Sequence, residues 1–195
     1  MMNCEKIGKL IYTLRKEKNM TQKELADTMN ISDKAISKWE RGLGCPDISL
    51  LPELSKIFNV NIEELLSGSI ALNELNGGNM KKLAFYVCPN CNNLVTASGN
   101  ATVSCCGKKL EAQTPIKALE DHRLVVDTVE DELYITSPHE MSKVHYLSFI
   151  AYVTGDRVLL VKQYPEWNMQ VRFAKLGHGK LYFYCVEHGL YYQVI

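Results

Sequence analysis

The stretch TQKELADTMNISDKAISKWERG, residues 21–42, decides how the first third of this chain folds. Its opening, Thr21-Gln-Lys-Glu24, predicts a reciprocal helix start, in which the Thr hydroxyl accepts the Glu24 amide while the Glu carboxylate reaches back. Leu25, Ala26 and Met29 supply the buried side of one short helix, and Asn30 tolerates the left-handed conformation that the Met29-Asn30-Ile31 turn needs. Ser32 or Asp33 caps the next helix, which runs to Arg41 before Gly42 and Gly44 end it. In that helix Ala35, Ile36 and Trp39 share one face, and Asp33, Lys34, Ser37, Lys38 and Arg41 share the other. An outward face of Lys, Ser, Lys and Arg suits a major groove, where Lys and Arg donate to guanine edges and phosphates. Gln22 can hydrogen-bond a phosphate beside the positive end of the preceding helix. Asp33 repels phosphate, but it can cap the helix or accept from cytosine N4.

Working outward, Ile7, Leu10, Ile11 and Leu14 predict a first amphipathic helix over about residues 5–18. Asp47 opens a fourth helix to about Phe58, and Asn61 with Glu64 opens a short fifth. Residues 1–44 carry nine basic and six acidic side chains, a net of +3 that permits an anionic partner without identifying one. Residues 68–80 are rich in Gly, Asn and Ser and read as a linker. Beyond them the texture changes to Cys pairs and short β-rich runs near 123–129, 132–136, 145–154, 157–164, 170–176, 180–186 and 190–195. That spacing predicts a β-sandwich.

The whole chain has 195 residues, 46% hydrophobic, with 22 basic, 22 acidic, seven Cys and five His. That composition excludes a disordered chain. The longest apolar run, Leu147–Val153, is too short for a membrane span, and MMNCEKIGKL lacks a signal peptide's apolar core. The expectation is a soluble cytoplasmic protein with no membrane partner, in which clustered thiols serve metal or redox chemistry ahead of disulfides. Cys4 and Cys45 stand outside the clusters and are expected to be ordinary packed or surface thiols.

Residues 21–42, continued by CPDISLLPELSKIFNVNIEELL at 45–66, resemble the Xre/Cro, phage-repressor-like helix-turn-helix family over about residues 5–67. The resemblance implies a five-helix, commonly homodimeric domain (1–67) whose third helix reads a double-stranded DNA operator. By position, Ser32, Asp33, Lys34, Ser37 and Lys38 would face the bases and Gln22 the backbone, with Arg41 on the same face.

Cys88-Pro-Asn-Cys91, thirteen residues, and then Cys105-Cys106 place four thiolates on two short segments, a set that suits tetrahedral iron or zinc. The adjacent Cys pair resembles desulforedoxin, the small rubredoxin-like module of desulfoferrodoxins, and assigns 81–113 to such a module. An iron is expected in it, with zinc possible.

Further on, Glu120-Asp-His122, Pro138-His139, His145-Tyr and Cys185-Val-Glu-His188-Gly gather four of the five His around one more Cys. His178, between two glycines, reads as a loop residue. The pieces ALEDH (118–122), SPHEMSKVHYLSFI (137–150) and CVEHGLY (185–191) resemble the superoxide reductases, desulfoferrodoxin and neelaredoxin. That resemblance implies an immunoglobulin-like all-β sandwich over 114–195. It would hold a non-haem ferrous iron by His122, His139, His145 and His188, with Cys185 axial, and Glu120 able to close over the open position. The implied activity is reduction of superoxide to hydrogen peroxide, with electrons from a donor such as rubredoxin. Where the family carries Lys, this chain has Asp121, which reverses the charge that draws in superoxide; Arg123 follows in place of the usual Pro. The whole chain therefore reads as a multidomain DNA-binding regulator fused to an iron-containing oxidoreductase. The alternative is a redox- or iron-sensing transcription factor without significant turnover.

Overall fold

Thr21 and Glu24 make the reciprocal cap: Thr21 Oγ1 accepts the Glu24 amide at 3.1 Å, and the Thr21 amide donates to Glu24 Oε2 at 2.7 Å. This start opens α2 (Gln22–Thr28), and Asn30, at φ 51°, turns the chain toward α3 (Asp33–Glu40). Of the two capping residues the sequence allows, Ser32 takes the role, its hydroxyl accepting the Ala35 amide at 3.2 Å. The computed structural model describes residues 3–70 and 80–195; most of the expected linker, 71–79, lies outside the described residues. Two compact units divide between Leu72 and Asn73.

In the helical unit, α1 (Cys4–Glu17) precedes α2 and α3, and α4 (Leu51–Phe58) and α5 (Ile62–Ser67) follow. Asp47 caps a single 3-10 turn, Ile48–Leu50, before α4 begins. The predicted apolar faces meet in one core containing Ile7, Ile11, Leu25, Ile36, Trp39, Leu54 and Leu65. At Gly8 a β-carbon would stand 1.9 Å from the Trp39 carbonyl oxygen, so α1 and α3 approach this closely only because residue 8 is glycine. A buried ion pair ties the same helices: Arg15 Nε and Nη2 donate to Glu40 at 2.6 and 2.9 Å, both side chains being 4% exposed. The Glu40 carboxylate raises the affinity of Arg15 for its proton, against the opposing effect of burial.

Cys4 and Cys45 are not free thiols. A disulfide joins them, with Cα atoms 4.9 Å apart. The expectation of separate thiols fails because the fold returns the segment after α3 to the first residue of α1, across a separation of 41 residues.

The second unit starts with two hairpins, β1 (Ala84–Val87) with β2 (Leu94–Ala97) and β3 (Val103–Cys105) with β4 (Lys108–Leu110). Two sheets follow. One orders β10 (Gln170–Ala174), β7 (Glu132–Thr136) and β6 (Val125–Val129). The other orders β5 (Ile116–Lys117), β12 (Gly189–Val194), β11 (Lys180–Cys185), β8 (Leu147–Val153) and β9 (Val158–Lys162). All neighbours are antiparallel except β5 and β12. Leu133, Ile135, Val171 and Phe173 of the first sheet pack against Ile150, Tyr152, Leu181 and Phe183 of the second, which makes a sandwich. The other face of the five-stranded sheet is covered by β1, whose Phe85 and Val87 join Phe149, Ala151 and Tyr182. Alternation along β1 sends Tyr86 and Cys88 the opposite way, into a small cluster with Leu110. Covered on both faces, β8 is buried at every position, which is why it reads as an almost unbroken apolar run. Among the described residues no helix is long and apolar enough to cross a membrane.

Candidate metal centres and DNA-facing helix

The four clustered cysteines meet because both of their segments turn tightly. The Asn92 amide donates to the Cys88 carbonyl at 2.8 Å and the Cys88 amide to the Asn93 carbonyl at 2.9 Å, which folds Cys88 and Cys91 toward one point. Between β3 and β4 the loop is just Cys106-Gly107, with φ 50° and 74°, the paired left-handed conformation of a two-residue hairpin. The adjacent Cys pair thus consists of the last strand residue and the first turn residue. All four sulfurs lie within 4.8 Å of one another. Cys91 Sγ is 3.5 Å from Cys105 Sγ, which is 4.0 Å from Cys106 Sγ. Tetrahedral ligation at about 2.3 Å puts sulfurs roughly 3.8 Å apart, so the quartet fits iron or zinc. The protonation pattern agrees with a set that needs a cation. Burial works against charge on Cys88, yet the amides of Cys91 and Asn90 outweigh it and bring the thiol down to about 7. Cys106, crowded first by Cys91 and then by Cys88 and Cys105, is pushed up to about 12.

The second centre assembles where both sheets end. Cys185 closes β11, is 1% exposed, and continues the inward alternation of Leu181 and Phe183. Its partner strand slips register at Tyr184/Cys185, where β8 carries an extra residue. Ser148, in that irregular stretch, leaves its buried hydroxyl without a partner among the described residues. Gly189, at φ 86°, reverses the chain and brings His188 back, its Nδ1 3.6 Å from the Cys185 sulfur. His139 and His145 come from the irregular segment between β7 and β8. Their rings are held from behind: His139 Nδ1 pairs with the Glu140 carbonyl, and His145 Nδ1 with Glu140 Oε2 at 3.2 Å. This leaves the two Nε2 atoms buried, facing inward and unpartnered among the described residues. Burial first, then the neighbouring imidazoles, favours the neutral, ligating form of His139. His139, His145, Cys185 and His188 offer ligand atoms within 4.8 Å of one another.

His122 is not among those four. It ends a 3-10 turn, Glu120–His122, where its ring stacks on Tyr191 with centroids 4.9 Å apart and stands 6.0 Å from the ring of His188. Glu120, Asp121 and Arg123 beside it are exposed, and His178 is exposed in its loop. Two features escaped sequence reasoning. Glu140, sitting between two His in PHEMSKVH, steadies both rings; a carboxylate in that spacing was the available signal. Asn92 donates to the Tyr146 hydroxyl at 2.9 Å, linking the residue after Cys91 to the residue after His145.

On α3, Ser32, Asp33, Lys34, Lys38 and Arg41 are exposed and Ser37 is half-buried. Arg41 Nε donates to the Ser37 carbonyl at 3.1 Å, and the Lys38 stem lies beside Gly44. Gln22, expected on the DNA backbone, instead donates to Glu40 Oε2 at 2.6 Å and is half-buried. The ion pair between α1 and α3 claims its amide.

Comparison with known proteins divides the chain the same way. The helix-turn-helix family matches residues 11–65. The HTH-type transcriptional activator BcrR of Enterococcus faecalis is 48% identical over 80 residues, covering 40% of this chain and 39% of the activator. This chain thus spans about two fifths of that relative. The desulfoferrodoxin of Clostridium acetobutylicum is 28% identical over 117 residues, covering 56% of this chain and 94% of its own length. The superoxide reductase of Treponema pallidum has the same fold over 58% of this chain and 98% of its own, with a TM-score of 0.50 and 20% identity. The chain therefore joins an N-terminal helix-turn-helix domain to a part similar to that desulfoferrodoxin, in which a four-cysteine cluster precedes a sandwich with the fold of the superoxide reductase.

Proposed function

We propose that this chain is a homodimeric DNA-binding transcriptional regulator whose β-rich part is a non-haem iron protein that reduces superoxide to hydrogen peroxide. The observation that carries the reductase reading is the cluster of three imidazoles and one buried thiol, with two inward Nε2 atoms that have no other partner among the described residues. His139, His145, His188 and Cys185 would hold the iron, with His122, whose ring centroid lies 6.0 Å from that of His188, as the fourth imidazole. Iron bound there supplies the single electron that, with two protons, turns superoxide into hydrogen peroxide. The protein's own part is orientation and charge. Glu140 fixes the His145 tautomer so that Nε2 is free to ligate, as an outer carboxylate does in other metal centres. Glu120 and Asp121 are exposed in the turn that ends at His122, and Asp121 would oppose the approach of an anion, partly offset by Arg123. The Cys4 module would hold a second iron, which would pass electrons from a donor such as rubredoxin, or zinc, which has no redox chemistry and would only brace the hairpins; the Asn92–Tyr146 contact favours the electron route. The DNA reading is supported by the family match and by the exposed Lys34, Lys38 and Arg41 on α3, with Ser32, Asp33 and Ser37 beside them.

The reductase reading is tested on full-length protein loaded anaerobically with ferrous iron and exposed to a pulse of superoxide. Superoxide should disappear faster than with the same concentration of free ferrous ion, and His145→Ala should remove the difference. Decay no faster than free ferrous ion would overturn turnover. The second reading, a sensor without turnover, is favoured by Asp121, an exposed negative charge beside His122 that would oppose an approaching anion.

A further inference from the structure

We propose that Cys4 and Cys45 are a peroxide-oxidised thiol pair that clamps the mount of the DNA-reading helix. The proposal rests on the reading of α3 as the helix that faces DNA. These two are the only cysteines outside the metal-ligand clusters, and both are half-buried, within reach of a small oxidant. Their Cα atoms are 4.9 Å apart, inside the range in which sulfurs bond without moving backbone. Cys4 is also the first residue of the 14-residue α1, so a bond there ties the start of that helix.

The oxidant is hydrogen peroxide, the product of the proposed reductase. The Cys4 thiolate attacks one peroxide oxygen, the O–O bond breaks, and hydroxide leaves and is protonated to water, giving a sulfenic acid at Cys4. The Cys45 thiol then attacks that sulfur, the S–S bond forms, and the second oxygen leaves as water. Two thiols together lose two electrons and two protons, and one peroxide becomes two waters. A small dithiol reductant reverses the change by thiol–disulfide exchange.

The bond closes a ring that contains α1, α2 and α3. Gly42, at φ 72°, leaves room for only 3.0 Å between an added β-carbon and the Glu5 Cα, so the chain after α3 lies directly on the first turn of α1. Gly44, one residue before Cys45, supports the stem of Lys38, the exposed base on the reading face. Closing the bond thus fixes the floor under Lys38 and the end of α3. A surface held in its binding geometry gives up less conformational freedom on association, so the oxidised form is the tighter DNA binder.

The test uses full-length protein, the Cys4→Ser/Cys45→Ser double variant, and a DNA duplex selected from a random-sequence pool by the reduced protein. After stoichiometric hydrogen peroxide, peptide mapping should recover residues 4 and 45 in one cross-linked species that dithiothreitol separates. Oxidised wild type should hold the duplex roughly three- to tenfold more tightly than reduced, and the helical unit should melt about 10 °C higher. The double variant should show neither change, although its metal-centre cysteines meet the same peroxide. Alkylatable thiols at both positions after treatment would overturn the oxidation site. A cross-link with unchanged affinity, or an affinity gain that persists in the double variant, would overturn the clamp. If neither redox form retains any duplex, the DNA reading is wrong, while the mapped cross-link decides the oxidation site by itself.

Discussion

Glu140 supports two rings with one residue: its carbonyl takes His139 Nδ1 and its carboxylate takes His145 Nδ1 at 3.2 Å. Hydrogen bonds from Ser142 and then His145 favour its ionised form, so at neutral pH it is an acceptor. Replacing it by Gln keeps the shape and the carbonyl contact but removes the charge that fixes the His145 tautomer. Glu140→Gln should weaken ferrous iron at the His/Cys centre about tenfold, measured by competition with a chelator, and leave the Cys quartet's metal unaffected. Affinity equal to wild type would show that Glu140 is only a surface neighbour of His145. The His122 ring lies 6.0 Å from that of His188 and stacks on Tyr191, so His122→Ala should cost less affinity than His145→Ala. Cys185, His139, His145 and His188 could be marked from residue type and context, because ligation needs those side chains. Their tautomers could not, since these depend on which ring nitrogen meets the Glu140 carbonyl or carboxylate; the His-Glu spacing marks Glu140 as a neighbour, and the folded segment between β7 and β8 selects the atoms.

The helices show where local chemistry suffices and where it stops. Thr21, Glu24, Asn30 and Ser32 act within four residues of themselves, so their caps and turn could be read directly. Strand runs in the sandwich could be read too, β8 most clearly, because a strand covered on both faces is apolar throughout. What could not be read is long-range. The two-residue β5 has no pattern of its own and exists because it lies along β12. The Arg15–Glu40–Gln22 network joins three helices through side chains that each look like ordinary surface polar residues. That network sets a prediction for the helical unit. Glu40→Ala leaves the Arg15 guanidinium, 4% exposed, buried without its carboxylate, and strands the Gln22 amide. Breaking one partner of a buried pair costs about 3–5 kcal/mol, comparable with the roughly 5 kcal/mol that a domain of this size has in total. The variant should lose helical circular dichroism at 37 °C while the β unit stays folded. A melting curve within 2 °C of wild type, on the order of half a kcal/mol here, would mean that water replaces the missing carboxylate.

At the scale of the chain, β1 is the strand on which the Cys4 module stands. Phe85 and Val87 are anchored in the sandwich's outer cluster, whereas Tyr86 and Cys88 belong to a cluster whose only other fully buried member is Leu110. Burying so few side chains contributes only a few kcal/mol against the ordering of some two dozen residues, so the module's hairpins depend on their metal for most of their cohesion. Metal binding there requires thiolates, and Cys106, pushed up to about 12, must lose its proton to the ion. Cys88, brought down to about 7 from an ordinary 9.0, is charged above neutrality and protonated as the pH falls through 7. The stability that its thiolate lends is therefore complete above about pH 9, declines as the pH falls toward 7, and is absent below it. A chelator should strip the quartet faster at pH 6 than at pH 8. Once stripped, amides of β3 and β4 should lose hydrogen-exchange protection, β1 should keep part of its own through Phe85 and Val87, and α1 and α3 should be unchanged. Protection retained in β3 and β4 after the metal is gone would show that the hairpins hold themselves. Protection lost in α1 and α3 would mean that the two units stabilise one another.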